Sequence, residues 1–235
     1  MRFSFIFFLC GLFATTLTAQ FGVTALYQSS QDKFTSPLTP EGSILRNGYE
    51  IAADYWFRLP TKRIEFMPTI SVGRYDNKAN IYFSDVITQE PVFLETQATE
   101  IGFQFKTNFY IFDFAADCDC PTWGKQGPAL HKGFFIQLAP GVSHFLINSD
   151  LNGGEHATKS NKTFFNLGIG AGIDFGISNL LTITPLVSYR YGINQGDYNE
   201  LFAQFPIATP EVIDGRISAL QAGIRIGIRL DKRRY

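Results

Sequence analysis

The sequence of 235 residues predicts an all-β fold: a closed antiparallel eight-stranded transmembrane β-barrel in up-and-down meander order. Three observations predict it. Apolar residues alternate with small or polar ones at a period of two in eight separate segments. The apolar set is almost free of charge, and the links between segments alternate between long and short.

Composition sets the frame. Hydrophobic residues at 45% and aromatics at 15% exclude a disordered chain, while the charged fraction of 17% is below the roughly one quarter of ordinary soluble domains. Part of the surface is therefore expected to meet something other than water. A formal net charge of -1 supplies no basic field, and no Lys/Arg run interleaved with aromatics precedes the terminal DKRRY, so nucleic acid is excluded as a partner. Residues 1–20, MRFSFIFFLCGLFATTLTAQ, combine Arg2, an apolar run from Phe3 to Phe13 and a small polar stretch ending in Ala19 and Gln20. That is the pattern of a secretory signal peptide, cleaved after Ala19 or Gln20. The run is too short for a membrane-anchoring helix, and no later segment is long and apolar enough for one. Residues 21–235 form the exported barrel domain in this reading.

Each strand is justified by its own alternation. Phe21–Gln28 (FGVTALYQ) is the weakest. Tyr49, Ile51, Ala53, Tyr55, Phe57 and Leu59 oppose Glu50, Ala52, Asp54, Trp56 and Arg58; Ile64, Phe66, Pro68, Ile70 and Val72 oppose Glu65, Met67, Thr69, Ser71 and Gly73. Ile101, Phe103, Phe105 and Phe109 oppose Glu100, Gly102, Gln104, Lys106 and Asn108, and Phe134, Ile136, Leu138 and Val142 oppose Phe135, Gln137, Ala139, Gly141 and Ser143. From Thr163 to Ser178 the odd positions after Thr163 are all apolar, and Gly168, Gly170, Gly172 and Gly176 fall on the other face. Those glycines belong to a wall with two unlike faces, since GxGxxG is not completed and no helix period follows. They are expected to leave room for Glu, Arg and Phe side chains from facing strands. Leu181–Tyr191 and Leu220–Leu230 repeat the pattern. MPTISV, APGVSH and TPLVSY echo one another, placing Pro68, Pro140 and Pro185 on the apolar face and suggesting a bulge in each strand.

The links predict an orientation. Long ones run from Ser29 to Asn47, Asp76 to Phe93, Leu146 to Lys162 and Gly192 to Gly215, and short ones lie at Pro60–Arg63 and Ser178–Asn179, the asymmetry of extracellular loops and periplasmic turns. Phe112 to Lys132 breaks the rule: it belongs with the short set and is long. The polar face decides which side is outside. Its acids Glu50, Asp54, Glu65, Glu100 and Asp174 balance the bases Arg58, Lys106, Arg190, Arg225 and Arg229, as enclosed ions must. The opposite face reads as lipid-facing, with Tyr189, Tyr191, Phe109 and Tyr110 as candidates for interfacial girdles.

These residues resemble the small eight-stranded outer-membrane β-barrel proteins, similar to the OmpA membrane domain and OmpX and especially to PorT-like single-barrel proteins. The resemblance is one of pattern over Phe21–Leu230. It implies a bacterial outer-membrane location, contact with outer-membrane lipid, and recognition of the last strand, LQAGIRIGIRL, by barrel-insertion machinery, although DKRRY follows that strand. A PorT-like role would be that of a narrow transport or secretion-accessory component.

Chemistry-bearing residues are sparse. The ten enclosed charges fit a structural ion network, with an ion or proton path as the alternative reading. DCDCPTWGK sets Cys118 and Cys120 beside Asp117, Asp119 and Trp123. That stretch fits a thiol or interaction loop, and whether its thiols pair with each other, with a partner chain or with nothing stays open. CxC does not supply the four ligands of a zinc site, so no metal or cofactor is assigned. His144, near Ser143, Ser149 and Asp150, is the candidate for a rim-located lipid hydrolase; His131 and His156 lie on other links or strand ends. No motif names a nucleophile. The sequence therefore reads as a non-enzymatic barrel of structural or interaction type, meeting envelope or secretion proteins through its loops.

Overall fold

The computed structural model describes residues 20–34, 45–58, 63–81, 92–113, 133–151, 156–178, 180–195 and 214–229. They form strands β1 (Gln20–Phe34), β2 (Asn47–Arg58), β3 (Ile64–Ile81), β4 (Val92–Phe109), β5 (Phe134–Leu151), β6 (His156–Ile173), β7 (Phe175–Gly176), β8 (Leu181–Gln195) and β9 (Asp214–Arg229), with one 3-10 turn at Ile111–Asp113. Every neighbour is antiparallel and in chain order. The ring closes twice over: β1 pairs with β9 from Gln20↔Arg229 to Phe34↔Gly215, and β6 with β8 from Phe165↔Ile193 to Gly172↔Leu186. The short β7 continues β6 beyond Asp174 and pairs with β8 in the same register, so the barrel has eight walls.

Alternation built these strands and also sets their faces. Along β1, Phe21, Val23, Ala25 and Tyr27 are exposed while Gly22, Thr24, Leu26 and Gln28 are buried. The same inversion of a soluble protein runs round the ring, with Ile51 at 62%, Phe165 at 74% and Ile224 at 52% of full exposure. On β9 this apolar surface extends from Leu220 to Ile228; at about 3.4 Å per residue and a tilt of about 40° it covers roughly 20 Å of barrel height. Below it, near the rim that carries Gln20 and Arg229 (the proximal end), rings of four adjacent strands touch in sequence: Phe21–Tyr55 at 5.3 Å, Tyr55–Phe57 at 6.4 Å, Phe57–Phe66 at 5.5 Å and Phe66–Phe105 at 5.8 Å. At the other, distal end the outward positions turn polar: Ser29, Asn47, Arg74, Thr99 and Thr163.

Four sequence expectations are corrected. The strands run further at the distal end than the hydropathy pattern does: β3 reaches Ile81, β5 reaches Leu151 and β6 starts at His156, so the link expected from Leu146 to Lys162 shrinks to 152–155. Out in water both faces of a strand can be polar, and the pairing Lys78↔Glu95 or Asn148↔Lys159 leaves no period-two signal. Thr163–Ser178 is interrupted at Asp174, which the shared register of β6 and β7 sets opposite Thr184, one rung past Pro185. The prolines make gaps, not bulges. β2–β3 pairing skips from Asp54↔Thr69 to Phe57↔Phe66 beside Pro68, β4–β5 from Gln104↔Gly141 to Thr107↔Leu138 beside Pro140, and the β8 seam likewise beside Pro185, each without a change of register. A strand residue aims its N–H and C=O at the same neighbour, so a missing N–H opens one ladder and spares the other. Lastly, of the glycines in that run only Gly172 makes room for a facing Phe, its Cβ position lying 2.6 Å from Phe135, while Gly168 and Gly170 meet Ala139 and Ser188 and Gly176 is exposed; elsewhere a Cβ on Gly227 would stand 2.6 Å from Trp56 and one on Gly48 2.8 Å from Tyr75.

That contact makes a prediction. Gly227→Val drives a side chain into the buried Trp56 ring and is expected to lower stability by about 1–3 kcal/mol, whereas Gly73→Ala, whose Cβ meets nothing closer than 3.4 Å, is expected to be near neutral. The temperature at which the compact gel band is lost measures both.

Candidate functional site: the charged barrel interior

Two polar layers cross the lumen. In the distal layer Arg190 of β8 donates to Glu100 Oε2 at 2.8 Å, Glu50 Oε2 at 3.1 Å, Gln28 Oε1 at 2.9 Å and the Tyr75 hydroxyl at 2.9 Å. Tyr75 Oη lies 2.7 Å from Glu100 Oε2 and 2.8 Å from Gln28 Oε1, and its single proton serves one of them. Gln221 Nε2 reaches Gln28 Oε1 at 2.9 Å; Ser143 donates to Glu100 Oε1, and Asn166 Nδ2 donates to Ser143 at 2.6 Å. The layer thus draws one side chain from each of the eight walls: β1, β2, β3, β4, β5, β6, β8 and β9. Immediately distal to it, Leu45, Tyr75, Ala98, Phe145, Ile147, Phe164 and Ile217 form an apolar plug.

The proximal layer is organised by two carboxylates. Asp54 accepts from Thr24 and, at 2.7 Å, from Thr69, with Lys106 Nζ at 3.7 Å. Asp174 Oδ1 accepts from Arg225 Nη2 at 3.0 Å and from Thr184, while the Tyr110 hydroxyl lies 2.6 Å from Asp174 Oδ2 and 2.8 Å from Glu65 Oε2. Arg225 is wedged between rings, 5.4 Å from the Trp56 centroid and 5.8 Å from that of Phe135. The guanidinium therefore keeps a carboxylate on one side and aromatic faces on the other, which is how a cation is held in the low dielectric of a packed interior.

Of the ten charges singled out in the sequence, Glu50, Asp54, Glu65, Glu100, Lys106, Asp174, Arg190 and Arg225 are buried inside the barrel. Arg58 and Arg229 lie on strands, but their side chains are outside the described residues, as are Cys118, Cys120, Trp123 and His131. Sequence reasoning missed Gln28, Tyr75, Asn166, Gln221 and Tyr110 as partners. Parity sends all five inward: Gln28 with the even positions of β1, Tyr75 with the odd positions of β3, Tyr110 with the even positions of β4, Asn166 with the even positions of β6 and Gln221 with the odd positions of β9. Tyr110 is accordingly no girdle residue; it is 2% exposed, inside the barrel mouth. The hydrolase constellation does not assemble. Ser143 and Ser149 are buried inside, whereas His144 is on the outer face of β5 with Nδ1 2.9 Å from Thr163 Oγ1. Among the described residues no group of three metal-ligating side chains converges.

A closed antiparallel barrel with an apolar exterior and a charged, hydrogen-bonded interior has the architecture of a transmembrane β-barrel. No family model matches the chain and no curated protein matches it in sequence. Solved structures do. Neisserial surface protein A is 17% identical with TM-score 0.43, the match covering 88% of this chain and 96% of that one. Ail, the attachment invasion locus protein of Yersinia pestis, is 13% identical with TM-score 0.42, covering 88% and 98%. The outer membrane protease OmpT of Escherichia coli is 6% identical with TM-score 0.43, covering 91% and 96%. Likeness at this level carries no activity or partner across to this chain.

Removing Arg190 strands two buried carboxylates. Arg190→Met is expected to cost about 3–5 kcal/mol, and Arg190→Met combined with Glu100→Gln to recover part of it, read from urea unfolding of the refolded protein in detergent micelles.

Proposed function

We propose that the protein is an integral bacterial outer-membrane barrel of structural or interaction type, whose lumen is filled and whose work is done at its ends. The observation that carries this reading is the exposed apolar surface around all eight walls, backed by the proximal aromatic row. A lumen crossed by two bonded layers and an apolar plug supports a role other than diffusion. In this reading the distal links face the exterior and residues 110–133, with Cys118 and Cys120, face the periplasm; both are surfaces for envelope proteins. Residues 1–19 act as the export signal. Gln20 already pairs with Trp56 and Arg229, which favours cleavage after Ala19 over cleavage after Gln20. The last strand, β9, is the segment for barrel-insertion machinery.

A second reading, a PorT-like secretion-accessory role, is favoured by one feature: the longest link between barrel strands, 110–133, leaves from the proximal end. Loss of protein export on deletion would support it, and unaltered export would leave the structural reading alone. A rim enzyme is disfavoured because His144 and Ser143 occupy opposite faces of β5.

Fractionation with gel mobility before and after boiling tests the main reading. The expected outcome is an outer-membrane band that shifts on heating and begins at Gln20 by N-terminal sequencing; a soluble, unshifted protein overturns it. Ile224→Arg, at mid-belt, is expected to destabilise the inserted barrel by about 2–4 kcal/mol, and Ser218→Arg, beyond the belt, by less than about 1 kcal/mol. The same heat shift, followed in lipid vesicles, separates the two.

A further inference from the structure

Both ends of the 110–133 link are fastened to one residue. At its start, Tyr110 continues the inward parity of β4: its N–H donates to Arg63 O at 3.2 Å as the rung after Ile64↔Phe109, the Arg63 guanidinium lies 4.6 Å from its ring centroid, the ring packs 5.5 Å from Phe135, and its hydroxyl contacts Asp174 and Glu65. At its end, Gly133 O accepts the Asp174 N–H at 3.0 Å, the rung that follows Phe134↔Ile173 in the β5–β6 register, so that end is held through the Asp174 backbone. Asp174 is itself held by Thr184 of the adjoining strand β8 and by Arg225 of β9. It also occupies the single residue where the β6 strand is interrupted.

We propose that Asp174 is a clamp on the two described ends of the 110–133 link: its backbone holds Gly133, and its carboxylate, paired with Arg225, holds Tyr110, so the interior charge network anchors the start of the link. Ends that are already fixed cost less to order when a partner docks beside them. The clamp is independent of which way the barrel faces; only its meaning for a periplasmic partner rests on the proposed function. Asp174 and Tyr110 are positioning residues here and need touch no partner.

The test uses the full chain, refolded in detergent micelles, with trypsin added and cleavage after Lys125 and Lys132 followed by fragment mass. Tyr110→Phe keeps the ring and removes only the hydroxyl contacts. It is expected to speed cleavage at those two sites about tenfold, as losing a hydrogen bond to a charged group raises local opening, while the heat-shift temperature changes little. Asp174→Ala is expected to do the same. Asp54→Ala, a truncation of an equally buried acid that touches neither Tyr110 nor Gly133, is expected to lower the heat-shift temperature and leave link cleavage unchanged. Should Asp174→Ala fail to give a heat-shifting band, Tyr110→Phe alone decides. Equal cleavage in wild type and Tyr110→Phe, including none in either, overturns the clamp. Trypsin given to intact cells tests the orientation separately: cleavage at Lys125 there contradicts a periplasmic link and leaves the clamp standing.

Discussion

A backbone N–H in hydrocarbon has no water to bond, so every strand of a membrane barrel must find a partner on both sides, and the ring must close. Here closure falls at two seams, β1–β9 and β6–β8. The second is the delicate one, because Pro185 withholds a donor at the place where β6 gives way to β7. The chain answers with side chains. Thr184 and Asp174 bond to each other across that gap, and Arg225 joins them from β9, so a ladder that is open along its backbone is laced shut from inside. At the distal end of the same seam Asn194 Nδ2 donates to Thr163 O where the β6–β8 ladder stops.

Closure also explains why the interior has to be charged and crowded. Eight walls leave a lumen just wide enough for side chains. Once glycines on three walls make space for Trp56 and Phe135, the remaining volume is filled by groups that must satisfy one another. One guanidinium serving Glu50, Glu100, Gln28 and Tyr75 ties strands far apart in sequence, Gln28 and Arg190 among them, into a single layer. Such a layer contributes more to specifying the register of the ring than to net stability, since desolvation offsets much of the Coulomb gain.

What the sequence disclosed follows from which residues feel two different solvents. Where one face meets lipid and the other the lumen, as from Ile101 to Phe109 or Leu220 to Ile228, alternation is forced and each strand could be read directly. Where the outward face turns polar the contrast between the faces fades, so the distal stretches Asp76–Ile81 and Leu146–Leu151 read as links. Parity alone would have sent Tyr75 and Tyr110 inward. Aromatic character pulled Tyr110 toward an interfacial reading because a tyrosine suits either place, and only its partners Glu65 and Asp174, distant in sequence, decide between them. Ser143 and His144 show the converse hazard: adjacency in a strand guarantees separation across the sheet.

Asp174 is where these threads meet. It was legible as an acid among glycines and therefore as somebody's counter-ion. Its choice of Arg225, its bond to Tyr110 and the loss of strand geometry at its own position all depend on contacts with β8, β9 and both ends of the proximal link. A strand residue has one side chain and one backbone direction to offer. Asp174 directs its N–H to Gly133 as the rung that follows Phe134↔Ile173 on the β5 side, and its carboxylate into the lumen, serving wall, interior and link together. Pairing of β6 with β8 stops at Gly172↔Leu186, where Ile173 faces Pro185, and the next residue is the one whose carboxylate bridges the gap to Thr184.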